Sequence, residues 1–154
     1  MNLVIIFAAK YVYLVSVLVF VYYAYTAPDR KEFIRVAIVV AVLAFALSLI
    51  ASALYYNPRP FMLEGAPAPL IAHAPGNGFP SDHVLFTGTL ASIVTIVNPY
   101  GGAVLWVLAL VVSAGRVLAG VHHTLDVVAS LIISAGSAAL VWAVFRRYYA
   151  SPGK

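Results

Sequence analysis

No cysteine occurs among the 154 residues. That excludes a disulfide framework and thiolate chemistry, and it leaves the redox compartment open. Charge is almost as scarce. Asp, Glu, Lys and Arg together make up 9% of the chain, against about a quarter in a soluble domain. Nine Lys and Arg against five Asp and Glu leave a formal net charge of +4. The basic residues flank apolar runs and never form a stripe, so nucleic acid is not an expected partner. Internal repeats and polar linkers are also lacking, and residues 1–154 read as a single domain.

What the chain has in abundance is apolar residues, 64% of it, with a mean hydropathy of +1.00. This composition reads as an integral membrane protein. A spanning helix takes roughly 20 apolar residues. Five stretches approach that length: about Leu3 to Tyr25, Phe33 to Tyr56, Ser81 to Val97, Gly102 to Ala119 and Leu125 to Phe145. The expected fold is an all-α bundle of about five transmembrane helices, the third and fourth near the short limit. The first stretch is longer than the apolar region of a signal peptide. Its tail, YYAYTAPDRK, reads as a membrane interface rather than a cleavage site.

Arg30, Lys31 and Arg35 lie between the first two stretches, and Arg146, Arg147 and Lys154 follow the fifth. With five alternating spans these two places share a side, which the positive-inside rule makes cytoplasmic. The expectation is a multi-pass protein of the cell membrane, N-terminus outside and C-terminus in the cytoplasm. Tyr22, Tyr23 and Tyr25, and Tyr148 with Tyr149, fit aromatic belts at that inner boundary, and NPYGG (98–102) reads as a short inner break between helices. The remaining polar residues fall on the opposite face. Arg59 follows the second stretch, FPSDH (79–83) opens the third, Arg116 ends the fourth, and His122, His123 and Asp126 open the fifth. Four distant segments therefore converge on one membrane face, and the active site is expected there, facing the exterior or periplasm.

In chain order these segments are NPRPF (57–61), FPSDH (79–83) and GRVLAGVHHTLD (115–126). The series resembles the three-part signature of the type 2 phosphatidic acid phosphatase superfamily: K-x6-R-P, then P-S-G-H, then S-R-x5-H-x3-D. Arg59 and Pro60 match the first part. Pro80, Ser81 and His83 match the second, with Asp82 in place of glycine. Arg116, His122 and Asp126 match the third. Of the two adjacent histidines, His122 alone lies six residues after Arg116 and four before Asp126, which leaves His123 to the headgroups or the pocket rim. The resemblance covers residues 57–126. The aspartate after the serine, with LIAHAPGNGFPSDH (70–83) around it, looks most like bacterial undecaprenyl-diphosphatases. It implies release of phosphate from a lipid diphosphate through a phosphohistidine, without metal or cofactor. A phosphatidate or phosphatidylglycerophosphate phosphatase, or a non-catalytic binder of lipid phosphates in the membrane, would carry similar residues. The partners expected are a lipid phosphate or diphosphate and the surrounding membrane lipids.

The residue types suit that chemistry independently. Phosphoryl transfer needs positive donors around the equatorial oxygens and an in-line nucleophile. Arg59 and Arg116 supply forked, permanently charged donors, and Ser81 with the following amides opens a helix N-terminus that attracts anions. Asp126, one helical turn from His122, can hold one ring nitrogen protonated and leave the other as nucleophile. His83 is the candidate acid for the leaving oxygen. Asp82, in the first turn of its helix, favours the dipole and is close enough in sequence to tune His83. His73 and Glu64 lie in the outer loop, where Glu64 reads as a solvated charge. One departure stands out: the signature's lysine, seven residues before Arg59, is Ser52 here. Lys10 is the candidate stand-in. It lies about seven residues into the first stretch, roughly 10 Å deep at 1.5 Å per residue, a depth similar to that of Ser52.

Overall fold

The computed structural model describes residues 1–149, with side chains through Phe145. Lys154 and the side chains of Arg146, Arg147, Tyr148 and Tyr149, used above for orientation and belts, lie outside the described residues. The regular structure described is all helical: α1 (Asn2–Lys10), α2 (Val12–Thr26), α3 (Arg30–Leu54), a 3-10 turn at Pro60–Met62, α4 (Asp82–Val97), α5 (Pro99–Leu118) and α6 (Thr124–Tyr149). A single antiparallel bridge between Pro58 and Asn77 pinches the base of the long α3–α4 connection.

Local chemistry sets the helix ends. The Asp29 side chain accepts from the Glu32 amide at 3.0 Å and caps α3. Asn98 accepts from the Gly101 amide at 2.8 Å and caps α5, with Pro99 at the first position, where a missing N–H costs nothing. The reading of NPYGG as a short break made by Pro99 and the two glycines is corrected, because only Asn98 separates α4 from α5 and both glycines lie inside α5. The absence of side chains there lets Tyr23 and Thr95 press directly on the helix.

The first expected span is also different. It consists of two helices, α1 and α2, that meet at Tyr11 with a bend of 41°. Neither proline nor glycine marks the place. At the break the Arg116 guanidinium lies 3.5 Å from the Ala9 carbonyl, and a side chain inserted into the helical ladder is a known cause of kinks. The cause is thus 107 residues away in sequence.

By length and apolarity α3, α5 and α6 are each able to cross a membrane, and the bent α1–α2 pair, taken as one span, would make a fourth. The five-span count differs at α4, whose 16 residues extend about 24 Å against a hydrocarbon core of about 30 Å. Its placement accounts for its shortness. α4 is the central helix, packed against α2, α3, α5 and α6, with ten of its residues buried, so most of its length meets protein rather than lipid. Hydroxyls fasten it to α6: Ser130 donates to the Ser81 carbonyl and Ser134 to the Leu85 carbonyl, both at 3.0 Å. Such bonds between closely packed helices are the usual fastening where lipid removes the hydrophobic drive. Large apolar side chains face outward instead, among them Leu18, Ile38, Phe45, Leu110 and Ile132, as a lipid-facing bundle requires.

Candidate active site

The connection between α3 and α4 is tied down by one amide. The Asn77 side-chain oxygen accepts from the backbone of Asn57 (2.9 Å) and of Phe79 (3.0 Å). Its nitrogen donates to the Ser52 carbonyl, the Ser52 hydroxyl and the Tyr55 carbonyl at 3.1 to 3.2 Å. The Gly78 amide then donates to the Asn57 carbonyl at 2.8 Å. These bonds hold the segment bearing Arg59 beside the segment bearing Ser81. Ser52, at the position where the signature has lysine, serves as an anchor for this loop.

His122 sits 3% exposed between the helix ends. Its Nδ1 lies 2.9 Å from the Gly78 carbonyl and 3.4 Å from Asp126 Oδ2. A carbonyl only accepts, so Nδ1 carries the hydrogen and Nε2 holds a free lone pair. Toward that lone pair point Arg59 Nη1 at 3.2 Å and Arg116 Nη2 at 3.4 Å. Asp126 is wholly buried and held from two further sides: Asn57 Nδ2 donates to Oδ1 at 2.7 Å, and the His123 amide donates to Oδ2 at 2.8 Å. Gly78 stands at the centre of this arrangement, because a Cβ there would meet Asp126 Oδ2 at 3.0 Å.

The electrostatics favour a neutral imidazole. Burial lowers the His122 pKa first, the hydrogen bond to Asp126 opposes it, and the charges of Arg116 and Arg59 lower it again. Burial likewise lowers Arg59, with Asp82 and Asp126 acting against it. Several buried donors lack partners among the described residues: Arg59 Nε, Arg116 Nε and the Ser81 hydroxyl, besides Ser16 in α2. Unsatisfied buried donors are costly, and the first three belong to residues around one histidine. An anion rich in acceptor oxygens would satisfy them.

The structure thus brings Arg59, Ser81, Arg116, His122 and Asp126 into one cluster. His83 and Lys10 line an adjoining cavity with Arg116. The His83 ring stands edge-on to Tyr13, centroids 5.4 Å apart, and the His73 ring meets His122 in the same manner at 6.0 Å. The His123 ring approaches the Pro58 carbonyl at 3.0 Å, which staples the loop. Asp82 and Glu64 are exposed. Asn57, Asn77 and Gly78 escaped the sequence reading as site residues. The Asn-Gly pair is a turn signal, but nothing in NPRPF marks Asn57 as a carboxylate's partner.

A family model described as the PAP2 superfamily matches residues 33–150. "Putative undecaprenyl-diphosphatase YbjG" of Escherichia coli is 36% identical over 119 residues, covering 74% of this chain and 59% of that protein. "Bacitracin transport permease protein BcrC" of Bacillus licheniformis is 29% identical over 143 residues, covering 92% of this chain and 70% of its own length. The chain therefore spans between 59% and 70% of these two relatives. Among solved structures, LpxE of Aquifex aeolicus superposes with a TM-score of 0.75 at 23% identity, over 93% of this chain and 87% of that one.

Proposed function

The chain belongs to the PAP2 superfamily, and from that premise we propose that it is a membrane-embedded phosphatase that hydrolyses undecaprenyl diphosphate to undecaprenyl phosphate and phosphate at the outer membrane face. The observation that carries the reading is the unprotonated Nε2 of His122, with two guanidinium groups aimed at it and unpartnered donors on Arg59, Arg116 and Ser81 around it. A phosphoryl group bound there would draw the arginines onto its own oxygens and free the nitrogen lone pair.

In the first step Nε2 attacks the terminal phosphorus. A P–N bond forms as the bond to the bridging oxygen breaks, and the electron pair leaves with the lipid phosphate. His83 is the acid that supplies a proton to the departing oxygen. In the second step water attacks the phosphohistidine and passes its proton to His83. The P–N bond breaks, and phosphate and the free imidazole are restored. Asp126 and the Gly78 carbonyl keep Nδ1 as the protonated nitrogen throughout, and Arg59, Arg116 and Ser81 bind the equatorial oxygens. The Escherichia coli relative, whose name gives an undecaprenyl-diphosphatase, supports the substrate class.

The test is phosphate release by purified protein in detergent from undecaprenyl diphosphate, phosphatidate and phosphatidylglycerophosphate, with and without EDTA. Release from the diphosphate, unchanged by EDTA, is expected. Release confined to the phosphomonoesters would replace the substrate. Activity lost to EDTA and restored by a divalent ion would replace the mechanism, and no release from any lipid would leave a binding protein.

A further inference from the structure

Beside the His122 cluster lies a cavity of about 410 Å³, lined by Lys10, Tyr13, His73, His83 and Arg116 together with residues of the outer loop, none of them acidic. The cluster itself already accounts for one phosphate through its two arginines and Ser81. We propose that this cavity seats the second, lipid-side phosphate of a diphosphate substrate, with the Lys10 ammonium as its contact; the inference rests on the phosphatase reading above.

Arg116 is the hinge between the two places. Its Nη2 points at His122 Nε2, while its Nη1 lies 3.5 Å from the carbonyl of Ala9, the residue before Lys10. The two phosphorus atoms of a diphosphate share one bridging oxygen, so the second phosphate must sit next to the first. In-line attack places it on the side away from the nucleophile. Lys10, exposed at the C-terminal end of α1, has no hydrogen-bond or ion-pair partner among the described residues; its Nζ lies 5.8 Å from the centre of the Tyr11 ring. A lysine in an apolar helix without a partner points to a cavity and a ligand. The signature's own lysine position is closed to a ligand, because the Ser52 hydroxyl and carbonyl are bonded to Asn77. Lys10 therefore approaches from a different helix.

The chemistry of the leaving group gives this charge a purpose. A phosphomonoester expels an alkoxide, whose conjugate acid has a pKa near that of water, about 15.7, so its departure depends on a proton. A diphosphate expels a phosphate whose second pKa is about 6. That group depends less on the proton from His83, and a fixed ammonium stabilises the charge that develops as it departs. Lys10 is thus a specificity-determining residue that favours diphosphates over phosphomonoesters.

The experiment compares the wild type with Lys10→Met and Lys10→Arg as purified full chains in detergent, with matched thermal unfolding as the folding check. Two substrates are used, undecaprenyl diphosphate and phosphatidate, and two soluble inhibitors, inorganic diphosphate and orthophosphate. Lys10→Met is expected to lower kcat/KM for the lipid diphosphate about 10- to 100-fold and to change that for phosphatidate less than about 3-fold. It should weaken inhibition by inorganic diphosphate about tenfold and leave orthophosphate inhibition unchanged, and Lys10→Arg should retain most of both properties. Equal losses on both substrates, or no loss on either, would overturn the assignment. A wild type active on phosphatidate that neither cleaves nor binds diphosphate would overturn it while the phosphatase reading stands. A wild type inactive on both lipids would defeat that reading itself.

Discussion

At the scale of single residues, the site turns on which nitrogen of His122 is protonated and on how readily the ring gains a second proton. The Gly78 carbonyl and Asp126 settle the first point. Burial and the two arginines govern the second by lowering the pKa below the ordinary 6.5. Because only the neutral ring is a nucleophile, activity should persist as pH falls through 6.5 and decline along an acidic limb below it. Asp126→Asn removes the main influence that raises the pKa, so the limb should move to still lower pH while the rate drops. A kcat/KM profile with its acidic limb at or above 6.5, or one that moves upward in the Asp126→Asn protein, would contradict this electrostatic picture. These residue types were legible from spacing: Arg116 and Asp126 both select His122. Asn57, which holds Asp126 at 2.7 Å, was not legible, because an amide 69 positions away leaves no periodic or charge signal. The same holds for Ser52, which reads as a missing lysine in sequence and proves to be a loop anchor in space.

At the scale of elements, the close approach of α1 to α5 sets where Arg116 can reach. A Cβ at Gly115 would meet the backbone of α1, with Ala9 N at 2.7 Å and the Ala8 carbonyl carbon at 2.9 Å, and helix backbone cannot yield. Gly115→Val should therefore push α1 outward, displace the neighbouring Arg116, and cost about 1–3 kcal/mol, the usual range for overpacking. Thermal unfolding in detergent and phosphate release would both fall. Gly136→Ala in α6, where a Cβ meets nothing within 4 Å, is the control and should be neutral or slightly stabilising. If Gly115→Val unfolds like the wild type and keeps its activity, the packing account of Arg116 is wrong. Apolar runs announced most of the helices. They could not announce the bend at Tyr11, whose cause is a side chain from another helix, or the short α4, which is buried by its neighbours rather than matched to the bilayer.

At the scale of the whole molecule, four chain segments meet at one end of the bundle, and hydropathy with charge alternation had already grouped them on one face. The side of the membrane is an expectation from the positive-inside argument and has its own test. The chain lacks cysteine, so single cysteines report cleanly. Ala68→Cys, exposed in the α3–α4 loop, should react with a membrane-impermeant thiol reagent on intact cells. Tyr100→Cys, 85% exposed at the start of α5, should react only after lysis. The reverse pattern would place the site in the cytoplasm and remove the role at the outer leaflet. The central claim, that His122 becomes phosphorylated, is tested most directly by rapid acid-free quenching of the enzyme with substrate labelled in its terminal phosphate, followed by peptide mapping. The account predicts an alkali-stable, acid-labile phosphate on the peptide carrying His122, absent from His122→Ala and retained in His123→Ala. Label on Asp126 or His123, or full turnover by His122→Ala, would contradict it.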